Sequence, residues 1–167
     1  MTDGADRVFR SVAAVFQELA FGSASDAAWV LNPGDDGLLR SLDKLSATAA
    51  SARASDGGPS IAAHVDHLRY GLELLNRWSR GENPFADANY SASWRRTSVS
   101  DEEWATLRAR LRDEATAWLD ALRKVREVSD IADVELVGLI ASVAHLAYHL
   151  GAIRQLDRST RGPSARD

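Results

Sequence analysis

The chain has 167 residues, 45% of them hydrophobic and 7% aromatic, with 24 acidic side chains against 20 basic ones. That length suits one domain with an aliphatic core, and a formal charge of −4 supplies no general attraction for nucleic acid or anionic lipid. Cysteine is absent, which excludes disulfides, thiolate metal ligands and a cysteine nucleophile together, so any metal must rest on histidine and carboxylate.

The N-terminal Met1-Thr2-Asp3-Gly4 lacks a basic stretch followed by an apolar one, and no uninterrupted apolar run reaches membrane-spanning length; a cytoplasmic protein without a membrane partner is expected. Val8, Phe9, Val12, Val15, Phe16 and Leu19 recur every three or four residues and predict a first amphipathic helix, which Gly22 ends. Turn chemistry follows at Asn32-Pro33-Gly34-Asp35. Leu38, Leu39, Leu42 and Leu45 then suggest a shorter helix whose end is blurred by an Ala/Ser-rich run. After Gly57-Gly58-Pro59, Ser60 reads as the N-cap of a second long helix that carries Ile61, Val65, Leu68, Leu72, Leu75 and Trp78 to about Arg80.

Residues 81–99 read as a long connection without regular structure, yet they carry Phe85, Tyr90 and Trp94, as binding loops and lids often do. Ser100 with Glu103 forms a capping box for a third long helix, whose seam runs through Trp104, Leu107, Leu111, Trp118, Leu122 and Val125 to about Glu127. A reversal is expected at Ser129-Asp130. From Asp133 to Leu156 the pattern is apolar nearly all round, as expected of the helix most enclosed by its neighbours. Strand signals are nearly absent. The expected fold is therefore all-α: an antiparallel four-helix bundle over residues 1–157, with an extra short helix after the first and a long loop between the second and third long helices. Residues 158–167 read as a flexible tail.

The four histidines fall in two windows, His64 with His67 and His145 with His149. Residues at i and i+4 project from one helix face, so His145 and His149 can converge on one ion, and an imidazole from the other helix would complete the set. Either His64 or His67, or both, can supply it, because i and i+3 also share a face. Neutral imidazoles around an open position suit Zn²⁺ or Ni²⁺. Gly138, Ser142 and Ala152 continue the His145/His149 face with small side chains and leave room for a cavity. The plainer reading is a set of hydrogen-bonded core histidines, but several imidazoles in an apolar seam are costly to bury unless each finds a partner, and a shared cation would satisfy all of them. The five tryptophans read as core or rim packing, and Asp101-Glu102-Glu103 as a first-turn helix signal. Asp66, Glu18 and Glu73 are candidates for supporting roles. Nucleotide-binding loops, His-Glu-x-x-His and Gly-x-Ser-x-Gly are missing.

The stretch His145-Leu146-Ala147-Tyr148-His149-Leu150-Gly151-Ala152-Ile153-Arg154-Gln155 resembles the closing motif of the DinB-like (YfiT-like) metal-binding four-helix bundles, and Ser60-Ile61-Ala62-Ala63-His64-Val65-Asp66-His67-Leu68 resembles that family's other histidine segment. The resemblance extends from about Val8 to Leu156. It implies that one histidine of the second long helix joins the His-x-x-x-His pair to hold a divalent metal, usually Zn²⁺ or Ni²⁺, and that the protein is a homodimer. Counting from Ser60-Ile61 aligns that third ligand with His67, while the additional His64 departs from the family pattern. Relatives include S-transferases and isomerases that use low-molecular-weight thiols such as bacillithiol, mycothiol or glutathione. The resemblance thus implies a metal-dependent enzyme working with a small thiol cosubstrate or metal-bound water. The alternative is a non-catalytic dimeric module for binding or stress response.

Overall fold

The computed structural model describes residues 3–23, 28–53, 57–124 and 132–165. Helix α1 (Asp3–Phe21) stops where Gly22 takes a φ of 93°, a left-handed conformation that glycine reaches without strain. Gly37, at φ 70°, opens α2 (Gly37–Asp43) against that same turn. A Cβ on Gly22 would lie 2.6 Å from the Asp35 carbonyl oxygen, and one on Gly37 would collide with the Gly22 backbone, so the two glycines let the ends of two helices touch. The single short helix expected here is two, because Ser46 accepts the Ala49 N–H at 3.1 Å and starts a separate α3 (Ala47–Ser51).

Ser60 caps α4 (Ile61–Ser79), accepting the Ala63 N–H at 3.3 Å. The full capping box of Ser100 and Glu103 opens α6 (Asp101–Arg123), and the Trp104 indole N–H donates to the Leu45 carbonyl at 2.9 Å. That helix is shorter than its seam suggests, because Lys124 is already extended at its C-cap; Val125 and the Ser129-Asp130 reversal lie outside the described residues. The connection after α4 is not structureless. It contains a 3-10 turn (Pro84–Asp87) and a one-turn helix, α5 (Ser91–Trp94), both too short to leave a periodic pattern. Helix α7 runs from Asp133 to Leu156.

All regular structure among the described residues is helical. Helices α4 and α1 each pack on both α6 and α7, enclosing a core that includes Phe16, Leu19, Leu68, Leu111, Trp118 and Ile153. Burial of each such side chain contributes about 2 kcal/mol before chain entropy is subtracted. Two buried carboxylates fasten the connections. Glu18 accepts the N–H groups of Trp29, Val30 and Leu31 at 2.8, 2.7 and 2.6 Å, and Asp35 accepts from the Gly37 N–H at 2.8 Å and from Arg154 of α7 at 2.7 Å.

The expectation that α7 is the most enclosed helix is wrong. Val134, Val137, Ile140, Ala141, Ala144, Tyr148 and Gly151 are all exposed, a bare apolar stripe about 25 Å long at 1.5 Å per residue. By length and composition α7 could also cross a membrane, contrary to the sequence reading, although its other side carries the core residues Leu139, Leu146, Leu150 and Ile153. The stretch read as a tail makes specific contacts over its described part: Thr160 is fully buried, and the Pro163 carbonyl accepts from the Asn32 amide at 2.7 Å.

Candidate metal centre

The geometry of two helices brings the histidines together. His64 and His67 lie one turn apart near the start of α4, His145 and His149 one turn apart on α7, and the two helices pack directly. His67, His145 and His149 each offer a ring nitrogen, and these nitrogens all lie within 4.8 Å of one another. The Nε2 atoms of His145 and His149 face each other at 3.0 Å. With metal–nitrogen bonds of about 2.0–2.1 Å, that separation corresponds to an angle of about 90° at a shared ion. The three rings therefore suit a divalent cation of borderline softness by donor type, and the His145–His149 pair suits one by spacing as well.

His64 takes a different place. Its Nδ1 lies 2.8 Å from Nδ1 of His149, on the side of that ring away from His145. His67 is held from behind as well: its Nδ1 is 3.2 Å from the Ser93 hydroxyl, which donates to the Tyr90 carbonyl at 3.0 Å and so has a lone pair left to accept the ring N–H. His145 fits because α4 has no side chain at Gly71, where a Cβ would stand 3.3 Å from the ring's Cε1.

His149 is 1% exposed and His64 6%. Burial, with repulsion from His145, His64 and His67 added, pushes His149 down to about 3 from the usual 6.5. For His67 the same cause, with His145 and His64 as the repelling neighbours, brings the value to about 4; burial also lowers His64 and His145. All four rings are thus neutral near pH 7, the form a metal ligand requires.

The carboxylates considered from sequence are engaged elsewhere. Asp66 accepts from Arg69 at 3.0 Å and Arg96 at 2.9 Å, Glu73 from Arg69 at 2.6 Å, and Glu18 from the loop amides described above. Sequence reasoning marked residues 81–99 as a binding loop through Phe85, Tyr90 and Trp94, but did not show how Trp94 is used. Trp94, read as packing, stacks on His67 with ring centroids 4.4 Å apart and meets His64 edge-on at 5.3 Å. Ser93 and Gly71 were also missed; neither stands out locally, because each owes its role to a residue on another element. The anticipated space is present. A cavity of about 230 Å³ adjoins His145, lined by Gly138 and Ser142 together with Gly71, Leu75, Phe85 and Tyr90.

These features define an all-helical protein with a partly buried cluster of imidazoles, drawn from two helices, that could hold a metal ion. The chain belongs to the DinB superfamily, which it matches over residues 34–153, a span containing both histidine segments. No curated protein and no solved structure matches it.

Proposed function

We propose that this protein is a cytoplasmic metal-dependent enzyme, arranged as an antiparallel four-helix bundle, in which His67, His145 and His149 hold Zn²⁺ or Ni²⁺. The observation that carries this reading is the convergence of three neutral imidazoles, two of them 3.0 Å apart at Nε2, beside a cavity of about 230 Å³. Such an ion, when bound, lowers the pKa of a small thiol or of water, providing a nucleophile near neutral pH that this cysteine-free chain lacks. The protein's own groups hold the ion and shape the space around it. Phe85, Tyr90 and Leu75 give the cavity an apolar wall that favours an uncharged electrophilic substrate next to His145, and Trp94 covers His67 and limits access of water.

Metal analysis of protein purified without a polyhistidine tag tests the reading. About one ion per chain is expected, together with turnover of a small thiol and an electrophile that chelators abolish; less than about one-tenth of an ion per chain after reconstitution overturns it.

The bare stripe on α7 favours a further proposal, a homodimer with a second copy covering Val134, Val137, Ile140 and Tyr148. Two-fold pairing would set identical apolar stripes against each other, with no charged side chain among the exposed residues between Val134 and Gly151. A dimer in sedimentation equilibrium that Ile140→Lys converts to monomer supports this, and a monomeric wild type overturns it. A dimer that binds metal yet turns over no thiol would favour the second functional reading, a non-catalytic binding module.

A further inference from the structure

Resting on the metal-site reading above, we propose that His64 is a positioning residue rather than a ligand: its Nδ1 accepts the Nδ1–H of His149 and so fixes the tautomer in which the His149 Nε2 lone pair faces His67 and His145. A histidine ring carries one proton between two nitrogens, and the partner of one nitrogen decides what the other can do. For His149 the two contacts are separate. Nε2 looks toward His145 at 3.0 Å, and Nδ1 looks away to His64 at 2.8 Å. Only one arrangement of protons leaves Nε2 free for a cation: His149 donates at Nδ1, and His64 accepts there while keeping its own proton on Nε2.

A polar group also stands behind His67, whose Nδ1 lies 3.2 Å from the Ser93 hydroxyl; with that hydroxyl's proton given to the Tyr90 carbonyl, its oxygen can accept the ring N–H in the tautomer that leaves Nε2 bare. Metal-binding histidines usually donate to a carboxylate, a backbone carbonyl or water. Here the acceptor behind His149 is a second imidazole, 6% exposed, and among the described residues no carboxylate belongs to the histidine group. Neutral imidazoles would hold an ion here without cancelling its formal charge.

Three roles for His64 predict three different results. Zn²⁺ affinity is measured by chelator competition on the wild type, His64→Asn and His64→Phe. The amide oxygen of Asn can occupy the place of Nδ1 and accept; Phe keeps the ring volume and cannot. For a positioning residue, His64→Phe weakens Zn²⁺ binding about 10–100-fold, the usual loss on removing such a partner, while His64→Asn stays within about threefold of wild type. Equal large losses in both variants would make His64 a ligand, and a His64→Phe variant that binds like wild type would make it packing alone; either result overturns the proposal. A wild type that binds no Zn²⁺ sinks the metal-site reading instead. As a readout independent of mutation, ¹⁵N NMR of the Zn²⁺-loaded wild type is expected to show a protonated Nδ1 on His149 and a bare Nδ1 on His64. A metal-bound nitrogen on His64 would contradict it.

Discussion

The molecule buries polar groups in two regions, and they are satisfied in different ways. Glu18 and Asp35 meet groups that can only donate: three backbone N–H groups for Glu18, a backbone N–H and the Arg154 guanidinium for Asp35. Such contacts have one proton arrangement, and they fasten a loop and a helix. Around His149 the partners are other imidazoles, each able to donate or accept. A cluster of that kind can shift its protons and admit a cation without moving its backbone. Burial alone therefore does not separate structural from functional polar groups; the chemistry of the partners does.

The contrast is tested most severely at His145. His145→Ala is expected to abolish stoichiometric metal binding, a loss beyond the ~10–100-fold seen when only a supporting partner is removed, while the metal-free fold changes by about 1 kcal/mol, the usual size for a point substitution. Elemental analysis with thermal denaturation of the metal-free protein checks both halves. Arg154→Ala should do the reverse. It strands the Asp35 carboxylate, 4% exposed, and is expected to cost about 3 kcal/mol in urea denaturation while metal content is retained.

Acid provides a milder probe. Because His67 and His149 are held near 4 and 3 in the fold against 6.5 in the open chain, the unfolded state takes up protons first as pH falls. The melting temperature of metal-free protein should be insensitive to these rings above pH 6.5 and decline progressively from there to about pH 3. His67→Gln should flatten part of that decline; an unaltered profile would contradict the assignment. The smallest effect is expected at Gly71. Gly71→Ala gains up to about 1 kcal/mol of helix propensity, yet places a methyl group 3.3 Å from the His145 ring, so stability should rise slightly while metal affinity falls a few-fold.

How much of this is legible in sequence depends on how far each signal reaches along the chain. Ser60 and Ser100 cap their helices through groups three residues away, so their roles are readable locally. The His145/His149 spacing is equally local, as is the room left by Gly138 and Ser142. Which histidine of α4 faces the shared point is not readable, since His64 and His67 differ by only three residues and the outcome depends on how α4 and α7 cross. For α7 the period fails for another reason: a helix apolar at nearly every position does not record which side the core will take. Residues on α5 acquire their role solely by folding back over α4, which no pattern within a four-residue helix can encode.

The seating of Trp94 on His67, 4.4 Å between ring centres, gives the protein an optical reporter of its own. A paramagnetic ion such as Ni²⁺ arriving among the imidazoles would drain the excited state of that neighbouring indole, and closed-shell Zn²⁺ would not. Occupancy of the centre, and the rate at which it fills, could be followed by emission from an unlabelled sample.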